Sequence, residues 1–500
     1  MTPRPGSVLR VLVMVFAVAL VVTSCSAPAE VPAGGAALQP VTDGPQPVND
    51  GPNMVLISTD DQALVDLRWM PRTRRLIGER GATFTNFIAP HPLCCPSRAQ
   101  ILTGQYAQNN GVRGNLGPHG GYKSLEDPEH TLPVWLSDAG YRTSFVGKYI
   151  NGYKRSMGIP AGWEAWDATV GLAYRRFVQY DGSNAHRPPG YHTDYVAHRT
   201  TQEIERLAGD DRPFFVWSSF YAPHGLCTAQ REVGCPKPPQ VARRFAHKYA
   251  GVRAPSLDSP SFNEADVSDK PLDITRGGKV DPRKVQRLFT QRIRALASVD
   301  RAVVRIVRAL RRAGELNDTL IAFTSDNGYL NGEHRFQGKK MAYEESVRVP
   351  LLIRGPGIPP GTVRGQTTAM IDLAPTFAGL AGAEPSVPVD GQTLVDLARP
   401  RGGGDRTLLV QGGLGAQDPR DLGWHFRGVR TDRYTLVYWL TSDFVELYDR
   451  RRDPYQIDNV ANDPRYRTVL EELDRRTREL ADCSGESCHT RFGRLPVPRR

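Results

Sequence analysis

An α/β fold is predicted, with a mainly parallel sheet flanked by helices and a smaller C-terminal α+β domain. Three observations predict it. Continuous apolar runs of strand length, suited to strands buried on both faces, alternate with helix-period patterns through the first three quarters of the chain. Polar residues able to do chemistry fall just after those runs, where open α/β sheets place their ligands. Beyond about residue 386, short strands separated by polar turns replace the alternation.

In chain order, Met54–Thr59 is an apolar β-rich run ending in the adjacent carboxylates Asp60 and Asp61. Like charges so placed repel unless a cation lies between them; a solvated acidic turn is the other reading. Pro71–Arg80 has helical character and leads through Gly81 to an extended Ala82–Phe87. Thr131–Ala139 reads as a helix stopped by Gly140, and Tyr141–Val146 as a strand delivering Lys148. Pro213–Phe220 is a strand that delivers His224. The Pro-rich stretch Cys227–Arg283 reads as a long surface excursion, and Gln291–Leu310 as a long amphipathic helix. Thr319–Phe323 is a buried strand leading to Asp326-Asn327-Gly328, and Val349–Ile353 is a further strand. A Pro-containing linker at Ala381–Pro388 precedes short strands at Thr407–Gln411, Gly428–Val429, Tyr434–Leu440 and Val445–Tyr448, then a helix at Tyr466–Leu480.

The chain of 500 residues carries a formal charge of +11, which suits anionic partners, although its arginines are scattered and form no nucleic-acid motif. At the N-terminus, Arg4 and Arg10 precede an apolar run, Val11–Val22, too short to span a bilayer comfortably. Val22-Thr23-Ser24-Cys25 resembles a bacterial lipobox, which implies a signal peptide over 1–24, lipidation of Cys25, and export to the outer face of the cell membrane. An ordinary secretory signal is the alternative. Residues 25–51, rich in Pro, Ala and Gly, read as a flexible tether. Of the seven cysteines, Cys227 with Cys235, and Cys483 with Cys488, are near enough in sequence to pair under export.

The most specific stretch is Cys94-Cys95-Pro96-Ser97-Arg98, running on to Leu102-Thr103-Gly104. Pro96 suits a first helical turn, with Cys94 just before it at an anion-attracting N-terminus and Arg98 about one turn on. A buried thiol pair ahead of an ordinary helix is the other reading of these residues alone.

The pattern C-x-P-S-R-x-x-x-L-T-G resembles the signature of the type I, formylglycine-dependent sulfatases. The blocks around Asp60-Asp61, Thr324–Gly328, Lys339–Pro350 and Glu446–Asp449 are similar to that family as well. Gly147-Lys148-Tyr149-Ile150-Asn151 and Phe262–Pro271 resemble its N-acetylglucosamine-6-sulfatase-like branch.

The resemblance implies an alkaline-phosphatase/sulfatase-like fold, with a catalytic domain over 52–385 and a small antiparallel domain over 386–490. It implies that a formylglycine-generating enzyme converts Cys94 to Cα-formylglycine, whose hydrate attacks sulfur. One Ca²⁺ would be held by Asp60, Asp61, Asp326, Asn327 and residue 94. Arg98, Lys148, His224 and Lys339 would serve catalysis, with Lys340 as an alternative to Lys339. Ile150 stands where the family has a second histidine, and Asn151 is the nearest polar neighbour. The implied substrate is a sulfate monoester, with 6-O-sulfated N-acetylglucosamine of a glycan the specific expectation and aryl sulfates as surrogates. A phosphate or phosphonate ester hydrolase of the same superfamily, and a non-catalytic lipoprotein binding sulfated glycan, are the alternatives.

Overall fold

The computed structural model describes residues 50–226, 237–395, 406–413 and 423–498. Ten strands form the main sheet: β1 (Asn53–Thr59), β2 (Ala82–Phe84), β3 (Arg142–Gly147), β4 (Ala165–Gly171), β5 (Val178–Tyr180), β6 (Ala185–His186), β7 (Phe214–Ser219), β8 (Thr319–Ser325), β9 (Leu351–Arg354) and β10 (Thr362–Arg364). Their order is β10-β2-β9-β8-β1-β7-β3-β4-β5-β6. The middle run β8-β1-β7-β3-β4 is parallel, while β9, β5 and β6 pair antiparallel at the flanks. The alkaline-phosphatase/sulfatase-like architecture is therefore present, as a mixed sheet of mostly parallel strands.

β1 explains the continuous apolar text. Met54 and Leu56 enter one core and Val55 and Ile57 the opposite one, each fully buried. A strand covered on both faces has no solvent face to mark with polar residues. On one face lies α4 (Pro282–Arg312), following α1 (Cys94–Thr103), α2 (Leu132–Asp138) and α3 (His192–Leu207) in the chain. Leu296, Val299, Val303, Ile306, Val307 and Leu310 supply its buried stripe. The helix starts nine residues before the expected Gln291, because Asp281 accepts from the Arg283 amide as a cap and Pro282 occupies its first position.

Three further features depart from the sequence reading. Strands β4–β6 were not foreseen: β5 and β6 are short antiparallel strands at the sheet edge, and the apolar text of β4 is broken by Asp167 and Thr169. The excursion 227–283 is partly interior: Ser261, Glu264 and Lys270 are buried, and Phe262 bridges to Glu333. The signature helix begins at Cys94 itself, with Leu93 as the cap, and ends at Gly104 in a left-handed conformation (φ 66°).

At the C-terminal end, four antiparallel strands, β11 (Leu408–Gly412), β12 (Phe426–Arg430), β13 (Tyr434–Trp439) and β14 (Phe444–Asp449), pack on a helix at Arg467–Ala481. This sheet is tied to the catalytic part by buried polar bonds. Asp390 accepts from the Tyr106 and Gly485 amides at 2.6 and 2.7 Å, and the Gln411 amide donates to the Pro90 carbonyl at 2.9 Å. Cys483 and Cys488 form a disulfide with Cα atoms 5.0 Å apart.

Glu446 of β14 accepts from Tyr343, Tyr448 and Trp439 at 2.8, 2.5 and 2.6 Å. Burial nevertheless pushes its carboxyl up to about 7. A folded value above the unfolded one means the native state retains a proton that the unfolded chain releases. Its contribution is thus present below the ordinary carboxyl range and lost as pH rises to about 7, on the order of 1 kcal/mol per pH unit. Glu446→Gln is expected to flatten the fall in stability across that window, measured by urea unfolding at stepped pH.

Candidate active site

The carboxyl ends of β1, β8, β7 and β3 converge, and each strand is followed by a charged or polar group, immediately after β1, β8 and β3 and five residues on after β7. β1 brings Asp60 and Asp61, β8 brings Asp326 and Asn327, β3 brings Lys148, and the turn after β7 brings His224. Residues 60, 61, 148, 224, 326 and 327 are all buried. Close strand spacing is required here: a Cβ on Gly147 would stand 1.9 Å from the Ser219 carbonyl oxygen.

Cys94 opens α1 above these ends. Its sulfur donates to Asp60 Oδ1 at 3.3 Å and receives a hydrogen bond from Lys339 Nζ at 2.7 Å. Lys339 also bonds Asp61 Oδ1, and Lys148 Nζ pairs with Asp60 Oδ2. Arg98, fully buried, donates from Nε to Asp326 Oδ2 at 2.8 Å and from Nη1 to Ser219 Oγ at 2.7 Å and the Lys148 carbonyl at 2.5 Å. Asp326 Oδ1 accepts from the Asp61 amide at 3.2 Å, and Asn327 Nδ2 donates to Asp61 Oδ1 at 2.8 Å. All nine residues expected at one centre are brought together.

His224 Nδ1 lies 2.6 Å from the Gly225 carbonyl oxygen, so Nδ1 carries the hydrogen and Nε2 faces the carboxylates, 3.5 Å from Asp61 Oδ2. Its ring stacks on Tyr221 with centroids 5.0 Å apart. Burial holds the imidazole below its ordinary value despite the opposing pull of Asp61 and Asp60. Burial, with the Asp60 carboxylate beside it, pushes the Cys94 thiol up to about 12. A thiol so held is a poor nucleophile at neutral pH. Asp60 and Asp61 are held below the ordinary carboxylate range, against the cost of burial, by Lys148, His224 and Lys339 around them.

The donor set fits a hard divalent cation. Asp60, Asp61, Asp326 and Asn327 offer only oxygen, and Asn327 Oδ1 is buried without a hydrogen-bond partner. Ligand atoms of Asp60, Asp61, Cys94 and His224 lie within 4.8 Å of one another. Asp326, beside that group, accepts from Arg98 and the Asp61 amide, and each of its oxygens keeps a further lone pair.

Lys339, not Lys340, reaches the Cys94 sulfur; Lys340 has its own φ of 72° and lies toward His91. Cys95 is buried in the core, its amide donating to Asn115 Oδ1 at 3.0 Å. Ile150 sits in the same core. The groups bonded to Cys94 Sγ among the described residues are Asp60 and Lys339. Cys25, Cys227 and Cys235 lie outside the described residues.

Several supporting residues carried no motif. Ser219, the last residue of β7, bridges Arg98 and the Lys148 carbonyl at 2.7 and 2.6 Å. Arg292 of α4 donates to the Asp61 carbonyl and pairs with Asp66. The strap carrying Lys339 is pinned at both ends. His334 Nδ1 bonds Glu264 Oε2 at 2.7 Å, and Tyr343, stacked on His334 at 4.1 Å, donates to Glu446. A buried basic residue inside an apolar helical stripe was the signal available for Arg292; a serine ending a buried strand gives none.

A nucleophile position at a helix start, flanked by paired acids and two lysines, defines an ester hydrolase for an anionic group. The sulfatase family model matches residues 52–383, and the model for the N-sulphoglucosamine sulphohydrolase C-terminal region matches 332–482. The chain belongs to the sulfatase family and is a sulfuric ester hydrolase. It is 33% identical over 495 residues to an arylsulfatase of Volvox carteri, covering 87% of this chain and 75% of that protein. It is 31% identical over 491 residues to human N-acetylglucosamine-6-sulfatase, covering 88% and 86%. Among solved structures, it is similar to a protein in complex with its substrate D-glucosamine-2-N,6-O-disulfate (TM-score 0.71, 21% identity, covering 88% and 98%). It is also similar to a phosphonate monoester hydrolase of Agrobacterium radiobacter (TM-score 0.67, 21% identity, covering 90% and 100%).

Proposed function

We propose that this enzyme hydrolyses the 6-O-sulfate of N-acetylglucosamine units in a glycan, with residue 94 acting as Cα-formylglycine beside a Ca²⁺ ion. The observation that carries the reading is the environment of residue 94. Its side chain stands between Asp60 and Lys339 at the start of α1, where burial and the Asp60 carboxylate disfavour a thiolate. Conversion by a formylglycine-generating enzyme supplies a hydrated aldehyde, whose one hydroxyl is the nucleophile and whose other permits release of sulfate. Asp60, Asp61, Asp326 and Asn327 would hold the ion, which supplies positive charge to polarise the sulfate.

The chain's own groups do the rest. Lys148 and Lys339 neutralise sulfate oxygens, and Arg98 holds Asp326 and the Lys148 carbonyl in place. His224, its Nδ1 anchored on Gly225, presents Nε2 to the site and passes a proton to the leaving alkoxide. The negative charge of a bound sulfate offsets the burial that keeps the resting imidazole neutral. The glycan assignment follows the human relative and the similarity of 147–151 and 262–271 to that branch.

The phosphonate hydrolase neighbour supports a second reading, hydrolysis of phosphate or phosphonate esters on the same scaffold. Turnover of an aryl sulfate against its phosphate counterpart decides between them: sulfate preference by orders of magnitude is expected, and phosphate preference overturns the assignment. Chelation of divalent cations is expected to abolish turnover, with Ca²⁺ restoring it; full activity in excess chelator contradicts the metal assignment.

The same reading places the enzyme outside the cytoplasmic membrane, anchored by lipid on Cys25 and tethered through 25–51. The Cys483–Cys488 disulfide supports an oxidising compartment. Among the described residues, no helix is long and apolar enough to cross a membrane.

A further inference from the structure

Adjacent side chains of an extended strand point to opposite faces. Asp60 and Asp61 nevertheless converge: their carboxylate oxygens lie within 4.8 Å of one another and of the Cys94 and His224 ligand atoms. The chain achieves this by turning at Asp61, whose φ is 67°. Of Asp60, Asp61, Asp326 and Asn327, Asp61 alone has left-handed backbone. A residue with a Cβ disfavours that conformation, which persists only where its surroundings impose it.

The turn is held from two sides. Toward the sheet, the Asp60 amide donates to the Ala222 carbonyl at 3.3 Å, the Asp61 amide to Asp326 Oδ1 at 3.2 Å and the Gln62 amide to Ser325 Oγ at 2.9 Å. Those bonds fix its donors. From the other side comes Arg292 of α4, whose Nη2 donates to the Asp61 carbonyl.

Apolar residues would serve packing alone at position 292. Arg292 is 2% exposed, and its buried neighbours along the helix include Phe289, Ile293 and Leu296. Burying a guanidinium is costly unless it finds partners. Its partners belong to both segments that carry the acids. Nη2 lies 3.3 Å from Asp66 Oδ2, in the short helix Leu64–Trp69 that follows the turn. Cζ lies 4.2 Å from the centre of the ring of Tyr329, two residues beyond Asn327. The Tyr329 amide is itself fixed, donating to the Glu345 carbonyl at 2.7 Å. One guanidinium thus ties the 60–61 turn to the 326–327 turn.

We propose that Arg292 is a positioning residue for the metal site: by holding the Asp61 carbonyl it keeps Asp61 left-handed and its carboxylate beside that of Asp60, and so sets the affinity for the divalent cation. The proposal rests on the metal reading given above. Arg292 bonds the Asp61 carbonyl and Asp66, not the oxygens that would hold the ion, so it acts through Asp61 and not as a ligand.

The test is isothermal titration calorimetry of Ca²⁺ into the full chain after removal of metal with chelator. Loss of an outer partner of a metal ligand costs about 10- to 100-fold in affinity. Arg292→Met, similar in reach but without donors, is expected to raise Kd by about 100-fold, at the upper end of that range. Arg292→Lys keeps a cation but neither the planar fork nor the stacking face, and a rise of about tenfold is expected. Asp300→Ala, on the same helix, is the comparison. Asp300 is also buried, and it accepts from the Thr73 amide and hydroxyl at 2.8 and 2.9 Å, away from both turns. Its loss is expected to lower the metal-free melting temperature, as Arg292→Met does, while leaving Kd for Ca²⁺ unchanged. Wild-type affinity in both Arg292 variants overturns the proposal. So does an equal loss in Asp300→Ala, which would make the effect one of helix packing. Should Arg292→Met not fold, Arg292→Lys decides alone, and a wild-type Kd there overturns the proposal. A wild-type chain that takes up no Ca²⁺ overturns the metal reading and this proposal with it, whereas equal uptake by wild type and variants overturns this proposal alone.

Discussion

Cys94→Ala is expected to lower sulfate ester turnover by about 10⁴-fold or more while leaving the fold intact. The side chain is buried at the start of α1 and bonds only Asp60 and Lys339 among the described residues, so truncation removes one sulfur and no packing of consequence. The acidic and basic groups around it remain in place, and substrate affinity should change far less than kcat. Measuring kcat and KM separately, with circular dichroism as the control for folding, checks this. Retention of more than a few per cent of activity contradicts residue 94 as the nucleophile position.

The second large effect is expected at Lys339. Its ammonium bonds both the Cys94 sulfur and Asp61, and against the cost of burial the surrounding acids hold its proton well above the ordinary lysine range. Lys339→Ala leaves the paired carboxylates under-compensated beside an anionic substrate. A loss of about 10²–10³ in kcat/KM is expected, the scale for removing one preorganised charge stabiliser. Lys340→Ala, one residue on, serves as the comparison, because Lys340 lies toward His91 rather than the nucleophile. A loss below tenfold is expected there. Equal losses from the two changes would show that the strap, and not the ammonium at 339, is what matters.

These contrasts also mark how far the sequence could be read. Asp60, Asp61, Lys148, His224, Asp326 and Asn327 were recoverable because each comes after the carboxyl end of a buried strand, His224 at five residues' remove, and a parallel sheet must deliver such residues to one end. The choice between Lys339 and Lys340 was not recoverable from periodicity. It depends on positive φ at His334, Arg335 and Lys340 and on the anchoring of the strap by Glu264 and Glu446 from distant segments. The basic residue Arg292 within an apolar helical stripe was a signal of burial at most; its hydrogen bond to the Asp61 carbonyl is a tertiary fact that the stripe does not show. The β4–β6 edge and the interior part of 227–283 were missed for the same reason. Short strands and Pro-rich loops acquire burial from what they pack against, not from their own apolar content.

The central claim is that residue 94 does its chemistry as an aldehyde and not as a thiol. Mass spectrometry of the peptide carrying residues 94–98, from protein made in its native host and treated with an aldehyde-reactive hydrazide, tests it directly. The account predicts loss of the Cys94 sulfur and a hydrazone at residue 94, with Cys95 still a thiol. A peptide with both thiols intact, from enzyme that turns over sulfate esters at full rate, would contradict it.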